Sequence, residues 1–306
     1  MNVQQLKVAV ADSVARAALH WPPLERVIVA GCRTPVLRKA AGLGAIAVGY
    51  TRVLNERALR VADLGKYKLQ VNVGEELGTA PYFFADPCTL WFASKLLRAG
   101  DTCVDAGANV GHYTLMMAAE VGPGGRVLAF EANPIYADIL QGSLALNEYE
   151  SRVSIHGQAL WNVSGEEKTF FISVNKANSG TSSLIDHGVF LSSDSQIKVT
   201  TKTLDEATAS EAKPIRLVKI DVERAEEFVL LGAERLLSTF EIDFLIVELL
   251  AGSASQQRLL RSGYVGYFAD TKRQRLVPIS EISEGTFGDF VFASPKVKAE
   301  LERFIG

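Results

Sequence analysis

Residues 102–120, TCVDAGANVGHYTLMMAAE, constrain the fold more than any other stretch of the chain. A short apolar run ends on Asp105, Gly107 and Gly111 follow, and helical spacing begins directly behind them. Glycines after a strand let the backbone turn sharply and approach a ligand closely, because no Cβ stands in the way. The helix behind them aims unpaired N–H groups into the same crevice. In an open parallel sheet, that crevice lies beyond the carboxyl ends of the strands and holds a nucleotide-like ligand.

The spacing also separates ligand classes. A dinucleotide site wants Gly-x-Gly-x-x-Gly, with a pyrophosphate on the helix N-terminus. Here the glycines are Gly107-x-x-x-Gly111 and the acid Asp105 precedes the turn. An anion near Asp105 is repelled and a cation attracted. S-adenosylmethionine carries a sulfonium and an ammonium and has no phosphate, so it is the expected cofactor. The second half of the signal is RVLAFEANP, residues 126–134, a buried-strand run closing on Glu131 before Asn133-Pro134. An acid ending the second strand of such a unit can accept hydrogen bonds from both ribose hydroxyls.

Strands are expected at 102–106, 126–131, 152–157, 215–221, 243–249 and 289–294, with helices near 111–121, 134–147, 224–237 and 253–262. Strands alternating with helical patterns imply a parallel α/β sheet covered on both faces. Residues 1–65 read as an N-terminal helical extension, with a second helical region from about 24 to 62, and 66–306 as the main domain. KYKLQVNV alternates like a strand, and TLWFASKLLRAGD reads as an amphipathic helix. The stretch 161–214, rich in Ser, Thr and Asn, reads as an inserted acceptor-side segment with strands in KTFFISV and IKVTTKTL. Its polar part, about 175–200 with Gly180 and Gly188 as hinges, has the character of a lid.

A net charge of −3 without a long basic block gives no support to a nucleic-acid partner. Cys32, Cys88 and Cys103 are scattered and lack metal-ligand spacing, which fits a reduced, cytoplasmic chain. The N-terminus is amphipathic rather than basic-then-apolar, so no secretory signal is read there. The apolar window AAGLGAIAVGYT is too short to span a bilayer. It can lie on a membrane surface or pack on the main domain or a second subunit of a homodimer, and these alternatives stay open.

In order along the chain, DAGANVGHYTL, FEANP, NSGTSSL, TLDE, KIDVERAEEFVLLGAERLL and IVEL resemble the motifs of FkbM-type methyltransferases. The resemblance covers roughly 80–294. It implies a Rossmann-like class I methyltransferase sheet of seven strands with the last antiparallel, and an S-adenosylmethionine-dependent O-methyltransferase. It also implies an acceptor hydroxyl on a sugar, glycolipid or polyketide-like natural product, hence a place in natural product biosynthesis. Carried over by residue, Asp105, Gly107 and Asn109 with Gly111 line the methionine end of the cofactor. Glu131 holds the ribose with Asn133 nearby, and Gln158 and Ala159 fall where such folds contact adenine. Asp221 faces the methyl group and the acceptor. One departure is Arg224, where the family usually has glycine.

A hydroxyl nucleophile must lose its proton, and a positioned base typically adds about 10²–10⁴-fold. Asp221, Glu223 and Glu248 are the carboxylates expected near the acceptor, with Asp221 foremost and Glu248 supporting it. His187, after NSGTSSL, is the imidazole alternative. A carboxylate pair could hold Mg²⁺, but no dedicated metal-ligand cluster is visible in the sequence. A nicotinamide-dependent oxidoreductase lacks its glycine fingerprint here. A non-catalytic binding module is opposed by the joint presence of Asp105, Glu131 and Asp221.

Overall fold

A computed structural model describes residues 3–34, 36–37, 43–54, 58–84, 90–173, 182–186, 196–212 and 214–305. The chain forms two compact units, residues 1–87 with 173–181, and residues 88–172 with 182–306.

Among the described residues, the first unit opens with the helices α1 (Val3–His20), α2 (Pro22–Cys32) and α3 (Leu43–Val53). Gly49 lets α3 lie close against α1, since a Cβ there would sit 3.2 Å from the Ala11 carbonyl oxygen. The apolar window around Ala47, Gly49 and Tyr50 is thus buried inside this unit. Among the described residues, no helix is long and apolar enough to cross a membrane.

Helix was expected through residue 62, but Leu59–Asp63 forms β1, paired antiparallel with β2 (Lys68–Asn72). The apolar positions of LRVAD satisfy either period over so short a run. Pairing decides it, helped by a turn in which Gly65, at φ +84°, donates its N–H to Asp63 Oδ1. Beyond β2 come a short helix, α4 (Glu76–Thr79), and a buried polar knot. There Glu25 accepts from Arg60 and from the Tyr82 hydroxyl, both at 2.7 Å.

The second unit begins with α5 (Leu90–Leu96) and then alternates strand and helix: β3 (Thr102–Ala106), α6 (His112–Val121), β4 (Arg126–Phe130), α7 (Pro134–Asn147) and β5 (Val153–His156). Just ahead of the inserted segment lies β6 (Ala159–Leu160), and within it β7 (Glu167–Phe171) and β8 (Gln196–Lys202); the three form a sheet ordered β6-β8-β7. After a one-turn helix, α8 (Leu204–Ala207), come β9 (Ile215–Ile220), α9 (Glu226–Leu231), α10 (Glu234–Ser238), β10 (Ile242–Leu250) and α11 (Ala254–Arg261). The chain closes with β11 (Val265–Asp270), β12 (Arg275–Pro278) and β13 (Phe287–Ala293).

The main sheet has the order β12-β11-β13-β10-β9-β3-β4-β5. Strands β5, β4, β3, β9 and β10 are mutually parallel, and the last strand, β13, inserts antiparallel between β10 and β11. This is the arrangement that the resemblance implies, with an antiparallel last strand. It carries eight strands rather than the expected seven, because β12 folds back on β11 as an edge hairpin. The single helix expected over 224–237 is two, broken where Gly232 passes against the Trp161 carbonyl oxygen. A Cβ at Gly232 would lie 2.1 Å from that oxygen. Every residue of β9 is buried, and β10 is buried over most of its length, as strands covered on both faces must be.

Strand order reverses between β3 and β9, so a crevice opens at their carboxyl ends. Gly107 is what lets the two ends meet. Its φ is +80°, and a Cβ there would fall 1.9 Å from the Asp221 carbonyl oxygen. Gly100 has a similar φ of +89° but open space around it. Gly100→Ala is therefore expected to cost only the left-handed backbone strain, about 1 kcal/mol. Gly107→Ala adds a clash with fixed backbone and is expected to cost more than about 3 kcal/mol. Denaturant unfolding of the two variants checks this; equal losses would reject the close-approach explanation.

Candidate functional site

The crevice is built on buried carboxylates whose positions are set by backbone. Asp105, next to last in β3, is 1 % exposed and accepts from Thr114 Oγ1 at 2.5 Å, which ties it to the first turn of α6. Burial raises its pKa to about 6, against the Thr114 hydrogen bond and the Lys219 charge, which lower it. Gly111, at φ +95°, caps α6, and a Cβ there would meet Leu140 of α7 at 2.2 Å. Asn109 also has a left-handed backbone, at φ +50°.

Glu131 follows β4 and holds this turn together. Its Oε2 accepts from the Asn109 N–H and its Oε1 from the Asn133 N–H, each at 2.7 Å. Asn133 in turn caps α7 by accepting from the Ile135 N–H. A carboxylate has about four lone-pair sites, so each Glu131 oxygen can still accept one further hydrogen bond. Burial raises the Glu131 pKa to about 7, opposed by the two backbone donors. Along the next strand, His156 stacks on Phe130 at 4.7 Å between ring centroids. Gln158 is half-buried just before β6, and Ala159 is buried within it, facing Thr201 of β8 in register.

Sheet register assembles the other half of the site. Ala106 pairs with Ile220, Ile220 with Val247, and Glu248 with Asp289. One step beyond the end of β9, Asp221 therefore stands in a row with Glu248 and Asp289. Oxygens of Asp221, Glu223 and Glu248 lie within 4.8 Å of one another. Burial, then the Asp221 charge, raises Glu223 to about 7 and Glu248 to about 8.

Beneath this row sits Lys219, 3 % exposed, its Nζ 3.0 Å from Asp221 Oδ2 and 3.8 Å from Asp289 Oδ1. Burial works against its charge, but Asp221 and Asp289 outweigh that and push the ammonium above its ordinary range. The loop after Asp221 is pinned from two sides. Glu226 Oε1 accepts from the Arg224 N–H, and Ser183 Oγ donates to the Glu223 carbonyl at 2.6 Å.

The structure thus brings Asp105, Gly107, Asn109, Gly111, Glu131 and Asn133 to one strand-end crevice, and Asp221, Glu223 and Glu248 to its β9–β10 side. His187 lies outside the described residues, as does most of the 175–200 lid segment. Sequence reasoning passed over Lys219 and Asp289. The signal for Lys219 was a lysine inside the otherwise apolar IRLVKI strand. Arg224 has φ +71° and Glu223 φ +51°, so the usual family glycine marks a real left-handed position. The Arg224 side chain is exposed, while Glu227 pairs with Arg258 at 2.6 Å.

Residues 105–278 match the family described as the methyltransferase FkbM domain, more than half of the chain. The chain belongs to the FkbM methyltransferase family. It is an S-adenosylmethionine-dependent methyltransferase.

Among solved structures, this FkbM-family chain is similar to methyltransferase FkbM from Methylobacillus flagellatus KT, at 17 % identity over 85 % of this chain and 60 % of that one, with a TM-score of 0.41. It is also similar to a SAM-dependent O-methyltransferase from Thermotoga maritima, at 14 % identity over 66 % and 63 %, TM-score 0.36. A third is the O-methyltransferase from Bacillus cereus in complex with SAH, at 13 % identity over 67 % and 77 %, TM-score 0.35. The chain spans 60 % and 63 % of the length of the first two. No curated protein matches the sequence.

The crevice fits the cofactor of an FkbM methyltransferase on its own geometry: a buried carboxylate at a strand end, held by two backbone donors, has acceptor capacity left over. Ribose hydroxyls placed there would donate to the ionised form of Glu131, whereas burial raises that carboxyl to about 7 and favours its protonated form below that pH. Binding below that pH must release a proton, so S-adenosylhomocysteine affinity is expected to rise several-fold from pH 6 to 8 and then level off. Glu131→Gln is expected to weaken binding by about tenfold and abolish this rise. Calorimetry across that range checks both; a pH-independent wild-type affinity would contradict them.

Proposed function

We propose that this protein methylates a hydroxyl oxygen of a sugar, glycolipid or polyketide-like natural product. The observation that carries the reading is the row of Asp221, Glu248 and Asp289, with Glu223 beside it, next to the cofactor crevice. Carboxylates accept hydrogen bonds from hydroxyl-rich molecules, and the excess of negative charge disfavours phosphate-bearing acceptors such as nucleic acids.

In this reading Glu131 and Asn133 hold the ribose end of the cofactor, Gln158 and Ala159 lie along the adenine, and Gly107, Asn109 and Gly111 shape the turn around the methionine end. Asp105 lends its negative field to that end. S-adenosylmethionine, when bound, supplies an electrophilic methyl carbon on a sulfonium and leaves as the neutral thioether. The chain's own residues must align the acceptor oxygen and take its proton. Alignment supplies much of the rate in such displacements.

Asp221 has one oxygen committed to Lys219 and orients the acceptor hydroxyl with the other. Glu248, desolvated on a rigid strand and titrating near 8, takes the proton as the new carbon–oxygen bond forms. Glu223, titrating near 7, stands on the loop across from it. His187 is the rival base, and it would place the rise in rate around pH 6–7.

The test is product analysis with a panel of neutral glycosides, polyols, phenols, amines and thiols. Methyl ethers are expected, with kcat rising as the pH passes through about 7–8 while Glu248 ionises. Glu248→Gln is expected to slow turnover by about 10²-fold or more while leaving S-adenosylhomocysteine affinity within about twofold. Methylamine or thioether products would overturn the oxygen-acceptor reading. A fully active Glu248→Gln would remove Glu248 as the base.

A further inference from the structure

Three carboxylates whose oxygens lie within 4.8 Å of one another are the donor set that a hard divalent cation takes, and the crevice leaves them half-buried. The same place already holds a positive charge. Lys219, on β9, stands two residues before Asp221, one step past the strand's end, so strand alternation puts both side chains on one face. Its Nζ reaches Asp221 and Asp289, at 3.0 and 3.8 Å, and lies 5.2 Å from the centre of the Tyr113 ring on α6. On β3, Asp105 is its partner in register. Carboxylates therefore face the ammonium from β3, from the end of β9 and from β13, with Glu248 of β10 in the same row. At 3 % exposure the ammonium cannot turn away into solvent. A divalent ion on Asp221 would sit within a few ångströms of it, at a separation where like charges repel strongly in a partly buried site.

We propose that Lys219 is the resident cation of this site: its ammonium holds Asp221 and Asp289 in place and keeps a divalent metal out of the carboxylate cluster. Lys219 is a positioning residue, acting on the acceptor through Asp221. The proposal rests on reading this cluster as the acceptor end of the methyl-transfer site, and it makes transfer there independent of divalent metal.

The test is a Mn²⁺ titration followed by electron paramagnetic resonance, on wild type and on Lys219→Met and Lys219→Arg, each saturated with S-adenosylhomocysteine. Wild type is expected to bind Mn²⁺ no tighter than about 1 mM, the weak end of carboxylate sites. Lys219→Met, which keeps the length and loses the charge, is expected to bind at least about tenfold tighter, and Lys219→Arg to stay near wild type. Micromolar Mn²⁺ binding by wild type that disappears in Glu248→Gln would overturn the proposal, and that measurement needs no Lys219 variant to fold. Unchanged Mn²⁺ affinity in a Lys219→Met protein that still binds S-adenosylhomocysteine would overturn it equally. Failure of wild type to bind S-adenosylhomocysteine would instead strike at the methyltransferase site itself, so the two failures are told apart.

Discussion

The site depends on one close approach, the carbonyl of Asp221 against the α-carbon of Gly107. Parallel pairing of β3 with β9 brings the two chain segments together, and the Asp221 N–H donates to the Ala106 carbonyl at 3.0 Å. Without a Cβ at Gly107 the loops after both strands leave the sheet side by side. One loop turns into α6 and carries the Asn109 N–H to Glu131. The other carries Asp221, Glu223 and the left-handed Arg224 over the end of β10. The two sides of the crevice are thus two edges of a single backbone contact.

Charge burial explains why the surrounding residues are where they are. Asp105, Glu131 and Lys219 are nearly inaccessible, and groups of this kind persist only with partners. Glu131 has two backbone donors, Asp105 has Thr114, and Lys219 has two carboxylates. The same strand handles charge differently at its other end. There Arg216 is satisfied by Asp243, Glu300 and the Leu96 carbonyl. The contrast separates a charge that fastens the sheet from charges that remain available for chemistry. Carboxylates kept near neutrality by burial, as Glu223 and Glu248 are, can exchange a proton at working pH.

Local signals made much of this legible in the sequence. The turn at Asp105–Gly111, the acid closing β4, and KID ending an apolar strand each depend on residues within one turn or strand, so their pattern was readable without the fold. What escaped reading depends on register between distant strands. Nothing local places Asp289 beside Glu248, and Lys219 gains its meaning only when β3, β9 and β13 converge on it. Strands β11 and β12 and the helix break at Gly232 escaped for the same reason, since pairing with β13 and with each other, and the Trp161 carbonyl, decide them. At β1, a run of five residues fits helical and extended periods alike, and only the partner strand resolves it.

The most direct test of the account is a crystal structure with S-adenosylhomocysteine bound. The account predicts both ribose hydroxyls within hydrogen-bond distance of Glu131, the Asn109 and Asn133 N–H bonds to Glu131 retained, and the thioether sulfur on the side of the crevice that faces Asp221 and Glu248. Cofactor density elsewhere on the sheet, or a ribose turned away from Glu131 with the sulfur remote from Asp221, would contradict it.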